Sequence, residues 1–371
     1  MREREELTAK VEKLLQQINT EVIEVLGERI KTIGRLSSEE LTSINRLLDF
    51  YGQDMATINK RLSELSGKTI SEIEKMLIES AKESGIDVLQ YYEIAGVTPI
   101  PYEENAALQR IVAAAVKKAS DNVLAISNTT ALGFFVNGQF RPMKTAYNTL
   151  IDKAILSVVT GAVDYKTAMQ GALKEIGQGV RIVYESGHTM RADSAVRMNV
   201  LDGMRQMNRD IRREQGKEFG ADGVYIMPHG LCAPDHLPYQ GKEYTYEEWD
   251  RLNSMLSRPI GTGVMNCGHV AYDVIVGASE KPYTDKELQD IDDYSRAKVT
   301  WNGKRMTRYE ASQKMRNAET RIRELKDIKA VYKASGDNLN EARYNKYIKE
   351  ATAKYKERCK ESGLKARLDR L

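Results

Sequence analysis

The chain has 371 residues, 56 Lys+Arg against 53 Asp+Glu, three Cys and a formal net charge of +3. That length can bury a full core and predicts two or three domains at about 100–200 residues each. A hydrophobic fraction of 41% excludes a chain disordered throughout, and three Cys, an odd number, exclude a disulfide framework.

No apolar run approaches the ~18 residues of a membrane span. The mixed-charge start Met1–Glu6 lacks the apolar core of a secretory signal. A soluble protein made in a reducing cytoplasm is expected. All eight prolines fall between Pro99 and Pro282. Proline interrupts helix interiors, so proline-free flanks predict helical arms around a mixed centre. Residues 5–33 carry Leu7, Val11, Leu14, Leu15, Ile18, Val22, Val25 and Leu26 on one helical face. Capping boxes are predicted at Ser37–Glu40 and Thr69–Glu72, each before an apolar run, with Gly67 and Gly85 as punctuation. Residues 1–98 therefore read as a helical arm or bundle.

Gly96, Pro99 and Pro101 mark a linker. Helices are expected over Ala106–Ala125, near 144–160 and over 164–176, with polar Ser127–Thr130 as a break and Asp164 as an N-cap. Residues 99–178 form this second helical region. From residue 179 the period becomes two at Val180, Ile182 and Tyr184; helix returns over 189–216; Val224–Met227 and Gly268–Gly277 read as strands. Residues 179–284 are thus a small mixed α/β module, one sheet with a packed helix. From about residue 285 helix is expected to the end. Met315, Ala318, Ile322, Leu325, Ile328 and Val331 form one stripe, and Tyr344, Ile348, Ala351 and Tyr355 a second. Ser335–Asn338 separates them, which gives an αα-hairpin or a pair of extended arms over 285–371. The predicted class is α+β, mostly α-helical, with a long basic helical C-terminal tail.

All four His and two of the three Cys lie between residues 188 and 269. The dense part is His229, Cys232 and His236, then Cys267 and His269. Imidazole and thiolate are donors that Zn²⁺ prefers, and such groups in two close pairs can build a tetrahedral site. Zinc is therefore the candidate cofactor. The spacing matches no zinc-finger pattern, and the same residues can serve as backbone-bonded His and small buried Cys. No third group that would orient a Cys/His nucleophile is identifiable. No phosphate-binding Gly-rich loop, Gly-x-Ser-x-Gly or His-Glu-x-x-His is present. No catalytic residue is assigned.

Residues 301–371 hold 20 Lys+Arg against 10 Asp+Glu, a net of +10, whereas the first 300 hold 36 against 43, a net of −7. Pairing along helix faces accounts for charge but not for a twofold excess of one sign. That excess favours a polyanion, such as DNA bound non-specifically through its phosphates. The candidate contacts are Lys304, Arg305, Arg308, Arg316, Arg321, Arg323, Lys326, Lys329, Lys346, Lys349, Lys354, Lys356 and Arg358. Tyr309, Tyr332, Tyr344, Tyr347 and Tyr355 could stack on bases, although Tyr344 and Tyr355 sit on the apolar stripe, where packing is expected.

Several motifs carry a resemblance. They are Tyr184-Glu185-Ser186-Gly187 followed by Arg197–Val200; His229 with Pro234 and His236; Gln240-Gly241-Lys242 with Tyr244; and Asn266-Cys267-Gly268-His269. The chain resembles tailed-bacteriophage minor capsid proteins of the minor capsid protein 2 type, relatives of the Mu F-like head morphogenesis family. The resemblance continues through Met306–Ala311, Gln313 and Arg316 into the tail, and is weaker at Asn128–Thr130 and Ile151–Ala154. That family has Arg where Gly268 stands, a small residue at Cys232 and Arg at Ala233, which ranks His236, Cys267 and His269 above His229 and Cys232 as ligands. The resemblance implies a non-enzymatic virion protein inside the phage head or at its portal vertex, made in the host cytoplasm. It implies portal and other head proteins as partners, homo-oligomers, no membrane, and a role in head morphogenesis or genome packaging and delivery, with packaged DNA on the basic tail. The competing expectation is a metal-dependent hydrolase or toxin-like effector carried in the virion.

Overall fold

The computed structural model describes residues 2–33, 35, 44–83, 89–127, 132–160, 173–184, 187–263, 267–278 and 282–371. The expected capping box at Ser37–Glu40, Gly85, Asn128–Thr130, Asp164, Glu185–Ser186 and Asn266 lie outside these residues. The architecture is α+β and mostly α-helical.

Helix α1 (Arg2–Ile33) buries Val11, Leu15, Ile18, Val22 and Leu26, as the periodicity predicts, and also Ile23, Ile30 and Ile33. The wider burial has a simple cause. α1 is sandwiched between α2 (Ile44–Glu83) and the first tail helix, so it has two apolar faces. Thr69–Glu72 is not a helix start but lies inside α2. There the Thr69 hydroxyl donates to the Leu65 carbonyl at 2.7 Å, and Glu72 pairs with Lys10 of α1 at 2.8 Å. Apolar periodicity runs through this segment, and it overrides the local capping signal. Arg29 of α1 donates twice to Asp54 of α2 at 2.8 Å, and Asp54 also accepts from Tyr147 at 2.6 Å.

After α3 (Leu89–Ala95) and α4 (Ala106–Ser127) comes a hairpin absent from the sequence reading, β1 (Leu132–Val136) and β2 (Gln139–Pro142). Asn137 (φ 52) and Gly138 (φ 76) turn it, the two left-handed positions of a type I′ turn. Helix α5 (Met143–Thr160) follows. Strands β3 (Arg181–Val183) and β4 (Thr189–Arg191) complete an antiparallel sheet of order β2-β1-β3-β4. β4 takes the first residues of the expected 189–216 helix, which becomes α6 (Ala192–Phe219).

The predicted single sheet is in fact divided. β5 (Gly223–Ile226), β6 (Glu243–Thr245) and β7 (Ala271–Val274) form a second antiparallel sheet of order β6-β5-β7, with α7 (Tyr246–Met255) after β6. It docks on α6 through an ion pair between Arg209 and the fully buried Asp273, which also accepts from Tyr246 at 2.7 Å. The continuous helix expected from 285 is broken as well. After α8 (Asp285–Arg296), a second Asn-Gly turn at Asn302 (φ 54) and Gly303 (φ 73) joins β8 (Lys298–Trp301) to β9 (Lys304–Thr307).

Helices α9 (Arg308–Ser335) and α10 (Asn338–Ser362) then form the expected αα-hairpin around Gly336 (φ 77). The stripe on α9 divides its work. Ile328 and Val331 enter the main core with α1, while Met315 and Ile322 pack with Trp301, Tyr355 and Cys359. At the α1–α9 crossing, a Cβ on Gly27 would lie 2.7 Å from that of Ala334. Glycine costs about 1 kcal/mol in a helix, and here it admits the second backbone.

One buried junction ties these parts together. Arg191, at the end of β4, donates to Asp193 of α6 at 3.1 Å and lies 2.8 Å from Asp327 of α9, with side chains only 4%, 3% and 11% exposed. Arg191 Nη1 and Asp327 Oδ2 face each other off the ideal hydrogen-bond alignment. Burial pushes the Asp327 carboxyl up to about 6 against the attraction of Arg191. For Arg191 burial acts downward, but Asp193 and Asp327 outweigh it and hold the guanidinium above its usual value.

The folded protein therefore keeps a proton on Asp327 that the unfolded chain releases near pH ~4. This contribution makes stability fall as pH rises from ~4 to about 6 and level off above. Asp327→Asn should remove that decline in urea denaturation measured across pH. Arg191→Met, which leaves two buried carboxylates unopposed, should cost about 3–5 kcal/mol. An identical pH profile in Asp327→Asn would contradict the assignment.

Candidate metal centre

The His and Cys residues come from two loops beside the second sheet. The first, between β5 and β6, contains a short 3-10 turn over Leu237–Tyr239 capped by His236. The second precedes β7 and brings Cys267 and His269. Gly241 (φ 72) closes the first loop against α8, where a Cβ would lie 2.5 Å from the Leu288 side chain. Exposed Pro234 sits in the turn whose Ala233 carbonyl accepts from the His236 N–H at 2.9 Å. Two trios have donor atoms within 4.8 Å of one another: His236, Cys267 and His269, all buried, and His229, Cys232 and His269.

Hydrogen bonding decides between them. A carbonyl only accepts, so the 2.8 Å contact from His236 Nε2 to the Arg258 carbonyl places the proton on Nε2. His236 Nδ1 lies 3.8 Å from Cys267 Sγ and is the ring nitrogen that gains or loses the second proton; the Cys267 contact raises the His236 pKa. Gln240 Nε2 donates to Asp292 at 2.8 Å, which turns Gln240 Oε1 inward. That oxygen accepts from the His229 backbone N–H and from His269 Nε2, both at 3.1 Å. His269 Nε2 therefore carries the proton, and Nδ1 faces Cys267 Sγ at 3.4 Å. Burial, with help from His229 and His236, lowers the His269 pKa to about 3, so the ring is neutral and fit to ligate.

The two thiols shift in opposite directions. Burial pushes Cys232 up to about 12. Burial also opposes ionisation of Cys267, but hydrogen bonds with His236 and with the backbone of Gly261 and His269 hold its pKa below the usual thiol value. Ligands 2.0–2.3 Å from a tetrahedral zinc lie about 3.5 Å apart. The 3.4 and 3.8 Å spacings around Cys267 fit that figure. His236, Cys267 and His269 can thus hold a zinc ion, with Gln240 and Asp292 as the outer groups that aim His269.

The second trio would need His269 Nε2, which Gln240 engages; Cys232 Sγ lies 3.3 Å from it. His229 donates through Nδ1 to the Gly230 carbonyl at 2.9 Å, and its buried Nε2 makes no hydrogen bond. The glycine at 268 matters here, because a Cβ would lie 3.1 Å from that nitrogen. Asp292 was missed in the sequence because nothing in a solvent-facing helical pattern marks a residue 52 positions from its partner.

The trio forms one wall of a cleft of about 440 Å³ between α6, α9 and the chain end. Of the sequence-predicted basic residues, Arg316 and Arg323 line this cleft. The others do not converge there. Lys304, Arg305, Lys346, Lys349, Lys354 and Lys356 are exposed on β9 and α10. Arg308 donates to the Tyr294 carbonyl at 2.9 Å, Arg321 pairs with Glu324 at 3.0 Å, and Lys326 donates to the Leu371 carbonyl at 2.6 Å. Lys329 donates to Asn345 at 3.2 Å and Arg358 to Asn302 at 2.7 Å. Tyr355 is buried and donates to Glu319 at 2.9 Å, so it packs as the stripe predicts.

The family described as phage minor capsid protein 2 matches residues 2–361 of the chain. No curated protein and no solved structure matches it.

Protein purified without chelator should carry close to one zinc per chain by elemental analysis. Cys267→Ser and His269→Ala should lose it, Cys232→Ser should keep it, and Gln240→Ala should weaken zinc affinity about 10–100-fold. Full zinc content in Cys267→Ser would contradict the ligand set.

Proposed function

Because the chain belongs to the phage minor capsid protein 2 family, we propose that it acts at the portal vertex or inner face of a tailed-phage head and assists head morphogenesis or genome packaging and delivery. The coarse role follows from the family: a structural capsid protein of the phage virion, with other phage head proteins as partners. No helix among the described residues is long and apolar enough to cross a membrane.

The observation that carries the finer reading is the charge split, +10 over residues 301–371 on a body of −7. The solvent face of α10 presents Lys346, Lys349, Lys354 and Lys356, and among the described residues only Lys346 of these pairs with a carboxylate, Glu350 at 4.0 Å. A helix with this face suits non-specific contact with packaged DNA through phosphates, while the acidic body suits protein neighbours, including the portal and further copies of this chain. Zinc in this reading is structural. It pins the two loops of the second sheet.

The alternative, a metal-dependent hydrolase or effector carried in the virion, draws on one feature: a three-donor site that faces a cleft. Against it, the sole carboxylate lining the cleft among the described residues is Glu319, which is buried and holds Tyr355, so no free general base stands near the trio.

Cross-linking mass spectrometry on purified virions should join this protein to the portal; links confined to the outer capsid lattice would overturn the placement. For DNA, replacing Lys346, Lys349, Lys354 and Lys356 with Gln should flatten log K against log salt by roughly 0.9 for each phosphate no longer neutralised. An unchanged slope would place DNA elsewhere than on α10.

A further inference from the structure

The wall of the cleft away from the His–Cys trio concentrates positive charge. Seven arginines and one carboxylate line the cleft. Arg197 and Arg205 come from α6, Arg316 and Arg323 from α9, and Arg367 from the segment after α10. Three separate parts of the chain have therefore been brought to one place with the same charge.

Some of that charge is answered inside the protein. Arg205 pairs with Asp202 at 2.8 Å and Arg258 with Asp235 at 2.5 Å. Arg316 and Arg367 make no such ion pair with any described carboxylate, and the Arg323 Nε is buried without a hydrogen-bond partner. Glu319 is 4% exposed and accepts from Tyr355. Arg316 keeps solvent access yet sits in the cleft, where surrounding protein and the charges of Arg367 and Arg197 lower its pKa from the usual guanidinium value. Among the described residues the cleft lining thus gathers more guanidinium groups than the single carboxylate of Glu319 can balance.

Guanidinium groups present planar forks of donors that match phosphate oxygens in pairs. A multiply charged anion would engage several forks at once. The volume of about 440 Å³ lies within the range of small-molecule sites, roughly 300–1,000 Å³. A cleft of this size cannot seat a double helix, which needs a broad basic face. Tyr309, also in the lining, offers an aromatic ring on which a base can stack.

We infer that this cleft binds the phosphate groups of a nucleotide, presented either by a free nucleoside polyphosphate or by the 5′-phosphorylated end of a nucleic-acid strand. Arg316, Arg323 and Arg367 hold the phosphates, and Tyr309 meets the base. The inference does not depend on DNA contact by the lysines of α10, nor on the place of the protein in the virion.

The test is isothermal titration of the full chain with four probes: ATP, inorganic tripolyphosphate, a 5′-phosphorylated ten-nucleotide single strand, and the same strand without its 5′-phosphate. Saturable one-to-one binding of ATP or of the phosphorylated strand is expected. ATP and tripolyphosphate binding without a 5′-phosphate effect assigns the free-nucleotide source. Binding that requires the 5′-phosphate on the strand assigns the strand end. Arg316→Gln/Arg367→Gln should weaken the bound probe at least tenfold, whereas Lys349→Gln/Lys356→Gln should leave it unchanged. The double arginine variant relieves like-charge repulsion, so its melting temperature should hold or rise, and the probe should raise the melting temperature of the wild type but not of the variant. No binding by any probe, or equal binding by a folded double variant, would overturn the inference.

Discussion

A buried arginine that must find its counter-charges on two different helices constrains much of this molecule. Arg191 ends the four-stranded sheet, Asp193 opens α6, and Asp327 lies late in α9. Burying such a group is costly unless it is paired, so the sheet, α6 and α9 are locked in one arrangement. The burden on Asp327, pushed up to about 6, shows that the junction is not simply a source of stability. What it supplies is register. Gly27, which lets α9 approach α1, works to the same end from the other side of the core.

The candidate surfaces follow from that arrangement. With α9 tied to α6 through the Arg191 junction, Arg197 and Arg205 line the same cleft as Arg316 and Arg323. The second sheet, anchored on α6 by Asp273, sets the His–Cys loops into the same cleft. Asp292 on α8 orients Gln240, and Gln240 accepts from His269 Nε2, which leaves His269 Nδ1 toward Cys267. The basic tail is therefore divided in use. Its first helix is part of the core and the cleft wall, and its second presents lysines to solvent.

Much of this was legible in the residues. The period of α1 and the two stripes of the tail gave the main helices and their turn, because apolar spacing survives any neighbour. The donors of the candidate metal centre were legible by type, and the family pattern ranks first one of the two trios whose donor atoms lie together. The two hairpins carried a signal, Asn137-Gly138 and Asn302-Gly303, but their strands are four or five residues long and too short to compete with flanking helical periodicity. Thr69–Glu72 misled because a capping box and a helix interior share one local pattern. The arginine cleft was hidden for a different reason. Arg316 and Arg323 counted toward a tail, and Arg197 belonged to an acidic body, so an average over each part erased their meeting.

Helix α9 belongs to the folded body through the Arg191 junction and is not a free basic arm. Amide hydrogen exchange of the isolated full chain tests it most directly. Arg308–Ser335 should be protected as strongly as Ala192–Phe219, and Arg191→Met should lower protection in both helices together. Fast exchange over Arg308–Ser335 while Ala192–Phe219 stays protected would contradict the account.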